Sequence, residues 1–236
     1  MIWRLLICFS LTITWSFAAM VHGEISLKGA GRNHSKQVNA SGVVIWLEAV
    51  PGNAPLPRPN PVRAQMVQKN KTFSPHVLAV PVGSVIDFPN DDPIFHNAFS
   101  NYNGQIFDIG LYPPGSSRSV TFRRPGVVRV FCNIHSSMSA VIVVLQSPFY
   151  ATSGEDGSFE IGNVPNGTYR LEFYYERATE QELASLTRTV DVTGETEDVG
   201  TVEISESGYL PMPHLNKFGK SYPASSDPEG YPGERQ

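Results

Sequence analysis

Cysteine is nearly absent from this chain: among 236 residues there are two, Cys8 and Cys132. That excludes a disulfide-stapled miniature scaffold and a cysteine-rich zinc module. Charge is scarce too, at 17% of residues, with 22 Asp and Glu against 18 Lys and Arg. A net charge of −4 leaves no broad cationic footprint for a nucleic acid. Beyond the first twenty residues no apolar run approaches the length of a membrane span, which excludes a multipass protein. Helical sequence is missing as well, because only 179–186 has helical composition, enough for one or two turns.

What the chain does have is 20 Gly, 19 Pro and short β-branched or aromatic runs. Runs at 43–47, 77–80, 85–88, 119–122, 127–131 and 140–145 read as strands. Pro51-Gly52, Pro89-Asn90-Asp91-Asp92, Pro114-Gly115 and Pro125-Gly126 punctuate them as turns. Many short strands with turn signals between them predict an all-β sandwich or barrel. The five prolines of 51–61 read as an extended loop rather than a domain linker.

Residues 1–23 read as a secretory signal peptide. Arg4 precedes an apolar run to about Met20, and Ser16-Phe17-Ala18 or Val21-His22-Gly23 offers small residues for cleavage. A periplasmic or secreted protein is expected, with no stable membrane insertion after cleavage. Loss of Arg4 leaves 17 basic against 22 acidic residues, a net charge of −5. Cys8 leaves too, so Cys132 becomes a lone thiol in a compartment that oxidises free thiols. It is then buried and inert, paired with another chain, or held as a ligand.

Its neighbours favour the last. Cys132-Asn133-Ile134-His135-Ser136-Ser137-Met138 puts thiolate, imidazole and thioether on one tight loop between two strands. A second imidazole, His96, follows the strand at 85–88, and loops at one pole of a β-sandwich meet in space. Two His and one Cys with a weak axial Met form the ligand set of blue copper electron-transfer sites. Soft sulfur suits Cu(I), and imidazole suits both oxidation states. Zinc is the rival metal, but its structural sites usually carry paired cysteines at C-x2-C spacing, and none occurs here.

With these residues in hand, the chain resembles the cupredoxin (type 1 copper) family over about 42–146, most of all its amicyanin-like members and those labelled methylamine utilisation proteins. The resemblance runs through Pro89-Asn90-Asp91, His96-Asn97, Phe107-Asp108-x-Gly110-x4-Gly115 and Thr121-Phe122-x2-Pro125-Gly126 to Phe131-Cys132-x2-His135-x2-Met138. It implies a Greek-key β-sandwich binding one copper ion, with His96, Cys132 and His135 equatorial and Met138 axial. It also implies that backbone around Asn97 bonds the sulfur and ties the two loops together. Ile94, Phe95, Pro113, Pro114 and Ile134 would form an apolar docking patch around the exposed edge of His135. Two departures stand out: Ser136-Ser137 fills a gap that often holds Pro, and Val128 and Val130 replace common aromatics. His76, at a strand start, reads as structural, with an extra ligand or second-sphere role as the alternative. Asp91, Asp92 and Asp108 read as turn formers.

A second module is expected from 148 to 206. Asp156-Gly157-x-Phe159-x-Ile161 and Val164-Pro165-x-Gly167-x-Tyr169-x-Leu171 resemble carboxypeptidase regulatory-like domains, small transthyretin-like β-sandwiches without chemistry of their own. The expected order is therefore a signal peptide at 1–23, a cupredoxin domain at 24–147, the small sandwich at 148–206 and a flexible tail at 207–236.

No nucleophile–base pair, phosphate loop or HExxH motif is present, so no enzyme is expected. The sequence reads best as a one-electron carrier that docks transiently on redox protein partners. The rival readings are a periplasmic copper-binding or chaperone protein and a non-catalytic surface interaction module. Five Met in the whole chain provide no Met cluster for copper storage.

Overall fold

Along the apolar run 139–145, Ala140, Ile142 and Val144 are buried in one core, and Val141, Val143 and Leu145 in another. A strand buried on both faces reads as a continuous hydrophobic run, and here that run lies between two cores. The computed structural model describes residues 18–29, 39–101, 104–208 and 214–222.

In chain order the described strands begin with β1 (Ala19–Lys28) and β2 (Val44–Ala49). Next come β3 (Arg63–Gln65), β4 (Val67–Lys69), β5 (Thr72–Ser74), β6 (Val77–Pro81), β7 (Val85–Pro89) and β8 (Phe99–Ser100). Then β9 (Phe107–Asp108), β10 (Ser117–Thr121), β11 (Gly126–Phe131) and β12 (Ser139–Leu145). The chain continues with β13 (Tyr150–Thr152), β14 (Ser158–Val164), β15 (Gly167–Tyr174), helix α1 (Glu180–Leu186), β16 (Arg188–Val192) and β17 (Thr196–Ser205). The fold is all-β apart from that one short helix among the described residues. Thr179 caps it, its hydroxyl accepting from the Glu182 amide at 3.1 Å, and Leu183 and Leu186 pack on the adjoining core.

Among the described residues two β-sandwiches stack face to face. The first packs β6-β12-β11-β8-β9 against β10-β7-β3. Phe88, Phe122, Val128, Val130, Ile142, Cys132 and Met138 share its core. The other packs β14-β1-β17 against β13-β2-β15-β16 around Ile45, Leu47, Leu171, Phe173 and Ile204. Between the sandwiches, Val44 is buried with Val141, Val143 and Leu145, and Trp46, Tyr150 and Tyr174 pack around them. His76 and Glu176 add a polar bridge, Nε2 to Oε2 at 2.5 Å, while His76 Nδ1 lies 3.0 Å from the Ser139 carbonyl.

Strand pairing divides the chain differently from the linear order 24–147 then 148–206. β2 pairs with β13 and β15, and β1 pairs with β14 and β17, so both belong to the second sandwich. The first sandwich is thus inserted between β2 and β13 of its neighbour. Backbone pairing brings together strands more than a hundred residues apart, and hydrophobic period alone does not reveal that.

Residues 1–17 of the expected signal peptide lie outside the described residues, but Ala19–Lys28 is strand β1. Ala19 and Val21 are buried there, and an added Cβ at Gly23 would sit 2.8 Å from the Gly200 carbonyl. Cleavage after Ala18 leaves this strand whole, whereas cleavage after Gly23 removes half of it. Within the expected flexible tail, residues 214–222 lie against the body through specific contacts.

Candidate metal centre

Two strand ends build the site. β7 stops at Pro89 and gives way to the loop that carries His96; β11 stops at Phe131 and Cys132 follows at once. The second loop is closed by its own backbone: Cys132 N donates to the Met138 carbonyl at 3.2 Å and Met138 N to the His135 carbonyl at 3.1 Å. The first is held by Asn90, fully buried, whose Nδ2 donates to the Ile94 carbonyl at 2.8 Å. His96 and Tyr112 exchange backbone hydrogen bonds at 2.9 and 3.2 Å.

These loops bring together Cys132, His96 and His135, whose donor atoms all lie within 4.8 Å of one another. Cys132 Sγ is 3.8 Å from His96 Nδ1 and 3.8 Å from His135 Nδ1. With metal–nitrogen bonds of about 2.05 Å and metal–sulfur of about 2.3 Å, one shared ion requires an S···N separation of about 3.8 Å if trigonal and about 3.6 Å if tetrahedral. The two sulfur–nitrogen separations suit a single shared ion. Met138 is fully buried in the same core as Cys132, on the loop that holds both Cys132 and His135.

Both imidazoles are biased toward the neutral form, the one that ligates. Burial lowers the pKa of His96 although Asp92 opposes it, and burial with the neighbouring His96 lowers His135 to about 4. Asp92 Oδ2 lies 2.7 Å from His96 Nε2. Burial works to raise Asp92, but the Lys71 and Asn70 amides and His96 outweigh it and hold it below the usual carboxylate range. An ionised carboxylate only accepts, so Nε2 carries the proton and Nδ1 turns its lone pair to Cys132. Asp92 is therefore more than the turn former the sequence predicts. The only local signal was its place four residues before His96.

Asn97 does tie the loops together, through its side chain. Its Oδ1 accepts from the Asn133 amide at 3.3 Å and its Nδ2 donates to Asp108 Oδ1 at 2.8 Å. His76 lies elsewhere, between Ser139 and Glu176 at the sandwich interface, and contributes no donor to the group. Of the expected apolar patch, Phe95 is 50% and Ile134 43% exposed, Pro113 and Pro114 are exposed, and Ile94 is half-buried. Leu111, 51% exposed beside Tyr112, is a further apolar residue at this end. His135 is half-buried, and His96, Cys132 and Met138 are fully buried.

No protein-family profile matches the chain, and no curated protein matches it. Solved structures do. A copper-containing nitrite reductase from Thermus scotoductus SA-01 is 26% identical over 42% of this chain and 25% of its own, with a TM-score of 0.33. This chain therefore spans about a quarter of that protein's length. A purple cupredoxin from Nitrosopumilus maritimus is 26% identical over 35% of this chain and 99% of its own, TM-score 0.32. A variant of amicyanin in its reduced Cu(I) form is 19% identical over 35% of this chain and 81% of its own, TM-score 0.33.

Proposed function

We propose that this protein is an exported mononuclear copper protein that carries single electrons between redox partners and is not itself an enzyme. One observation carries the proposal: a thiol and two imidazoles converge at separations that suit one shared ion. The donor set supports copper over zinc, because one soft sulfur with two imidazoles serves both copper oxidation states. Copper held there supplies a one-electron couple.

The chain's own residues do the rest. Buried Cys132, His96 and Met138 keep water from the inner side of the centre. Asp92 fixes the tautomer and orientation of His96, which limits how far that ring can move when charge changes. His135, half-buried, is the donor nearest the surface, and exposed Phe95 and Ile134 flank the two imidazoles in sequence. A small apolar contact of this kind suits a redox partner that docks weakly and leaves quickly.

Voltammetry of the copper-loaded protein tests the reading. A reversible one-electron wave supports a carrier. Tight Cu(I) binding without a reversible wave replaces it with copper handling. Among the described residues no helix is long and apolar enough to cross a membrane.

A further inference from the structure

The described end of the chain, 214–222, has no strand or helix of its own and rests on the ligand loop. Tyr222 Oη donates to the carbonyl of Cys132 at 2.6 Å. The Lys217 amide donates to Asn133 Oδ1 at 3.0 Å, and its Nζ donates to Asp108 Oδ2 at 2.8 Å. Asp108 holds Asn97, and Asn97 holds the Asn133 amide, so Lys217, Asp108, Asn97 and Asn133 close a ring of hydrogen bonds. The His214 ring stacks on Phe131, centroids 4.1 Å apart, and its Nδ1 lies 3.2 Å from the Tyr222 oxygen.

These contacts fall on Phe131, Cys132 and Asn133, the residues that lead into the thiol and then toward His135. Two side chains of the segment reach the loop directly, the His214 ring by stacking and the Tyr222 hydroxyl by a hydrogen bond, while Lys217 reaches it through its main-chain amide and is anchored by its ammonium on Asp108. Nothing in the sandwich requires them, since the loop is already closed by its own backbone. What they add is a wall on the outer side of a loop that the core holds on its inner side.

We propose that residues 214–222 form the outer wall of the metal centre, with Tyr222 and Lys217 as positioning residues for the loop that carries Cys132 and His135. The proposal rests on the metal reading above and extends it. The hydroxyl on the Cys132 carbonyl draws electron density from the cysteine and favours the reduced state, and the Lys217 ring fixes the angle between thiol and imidazole. Preorganisation of this kind keeps a redox site from relaxing differently in its two states.

The test uses the full chain with Tyr222→Phe, Lys217→Ala and the conservative Lys217→Arg. In the metal-free protein, hydrogen exchange at the amides of 132–136 is expected to quicken about tenfold in Tyr222→Phe and Lys217→Ala. In Lys217→Arg it stays near the parent, while exchange in β12 is unchanged in all three. In the copper-loaded protein, Tyr222→Phe is expected to lower the reduction potential and shift the thiolate charge-transfer band with copper still bound. Unchanged loop exchange overturns the wall. Faster exchange with unaltered potential and band overturns the positioning role and leaves a plain structural contact. A parent protein that binds no copper overturns the metal reading and, with it, the tuning. The exchange comparison needs no metal, so it tells the two failures apart.

Discussion

Asp92 Oδ2 and His96 Nε2 are 2.7 Å apart, with the two side chains 2% and 0% exposed. The same carboxylate accepts the amides of Asn70 at 2.6 Å and Lys71 at 2.9 Å. Those two residues turn the β4–β5 hairpin with φ of 54° and 55°, a left-handed conformation that Lys71 holds at some cost. One buried side chain therefore supports a strained turn and orients a ligand. Asp92→Ala is expected to weaken metal affinity by about 10–100-fold. It should also cost about 1–3 kcal/mol of stability from unpaired buried donors. Competition titration and thermal unfolding measure the two effects. Unchanged affinity removes Asp92 from the centre.

The His76–Glu176 bridge makes stability depend on pH. The hydrogen bond that His76 donates to Glu176 raises its pKa above 6.5, so its contribution is full below pH 6.5 and disappears as pH climbs through the raised value. His76 holds Glu176 below 4.5, so that contribution is full above pH 4.5 and disappears as pH falls through the lowered value. The bridge is strongest between those limits. Since the His76 side chain is 52% exposed, it contributes on the order of 1 kcal/mol or less. His76→Gln is expected to lower the urea midpoint more at pH 5.5 than at pH 9, and an equal loss at both contradicts the assignment.

Val143 is buried between the two sandwiches, so they are expected to unfold together. Val143→Ala should cost about 1–3 kcal/mol without splitting the transition. Trp46 packs at the same interface and is the one tryptophan beyond residue 15, which makes its fluorescence a local reporter. Its unfolding curve should overlay the far-ultraviolet dichroism curve. Separate midpoints would mean that the sandwiches fold independently.

β1 gives the export reading a sharper form. Its Ala19 and Val21 fill the core of the second sandwich, so if a leader is removed on export, cleavage is predicted no later than Ala18. Intact mass of the exported protein decides this. A protein that begins at Glu24 would have lost half of β1.

Much of this was legible in the sequence because it is local. Cys132, His135 and Met138 lie on one short loop, and the capped helix at 179–186 announces itself by composition. β1 was not, since its apolar residues continue those of the expected leader and give no break. The membership of β2 was not either: Ile45 and Leu47 alternate with Val44 and Trp46 as any strand would, and only pairing with β15 assigns the two faces. Asp92 satisfied a turn reading on its own, so its bond to His96 added no pattern. The wall of 214–222 is made of single residues within the polar, Gly- and Pro-rich stretch 207–236, where no period reports contact.

The central claim is that Cys132, His96 and His135 hold one redox-active copper ion. Its most direct test is the visible spectrum of the processed protein with Cu(II), beside Cys132→Ser. An intense thiolate-to-copper band is predicted, bleached by ascorbate and absent from the variant. A colourless protein, or the same spectrum in both, would contradict it.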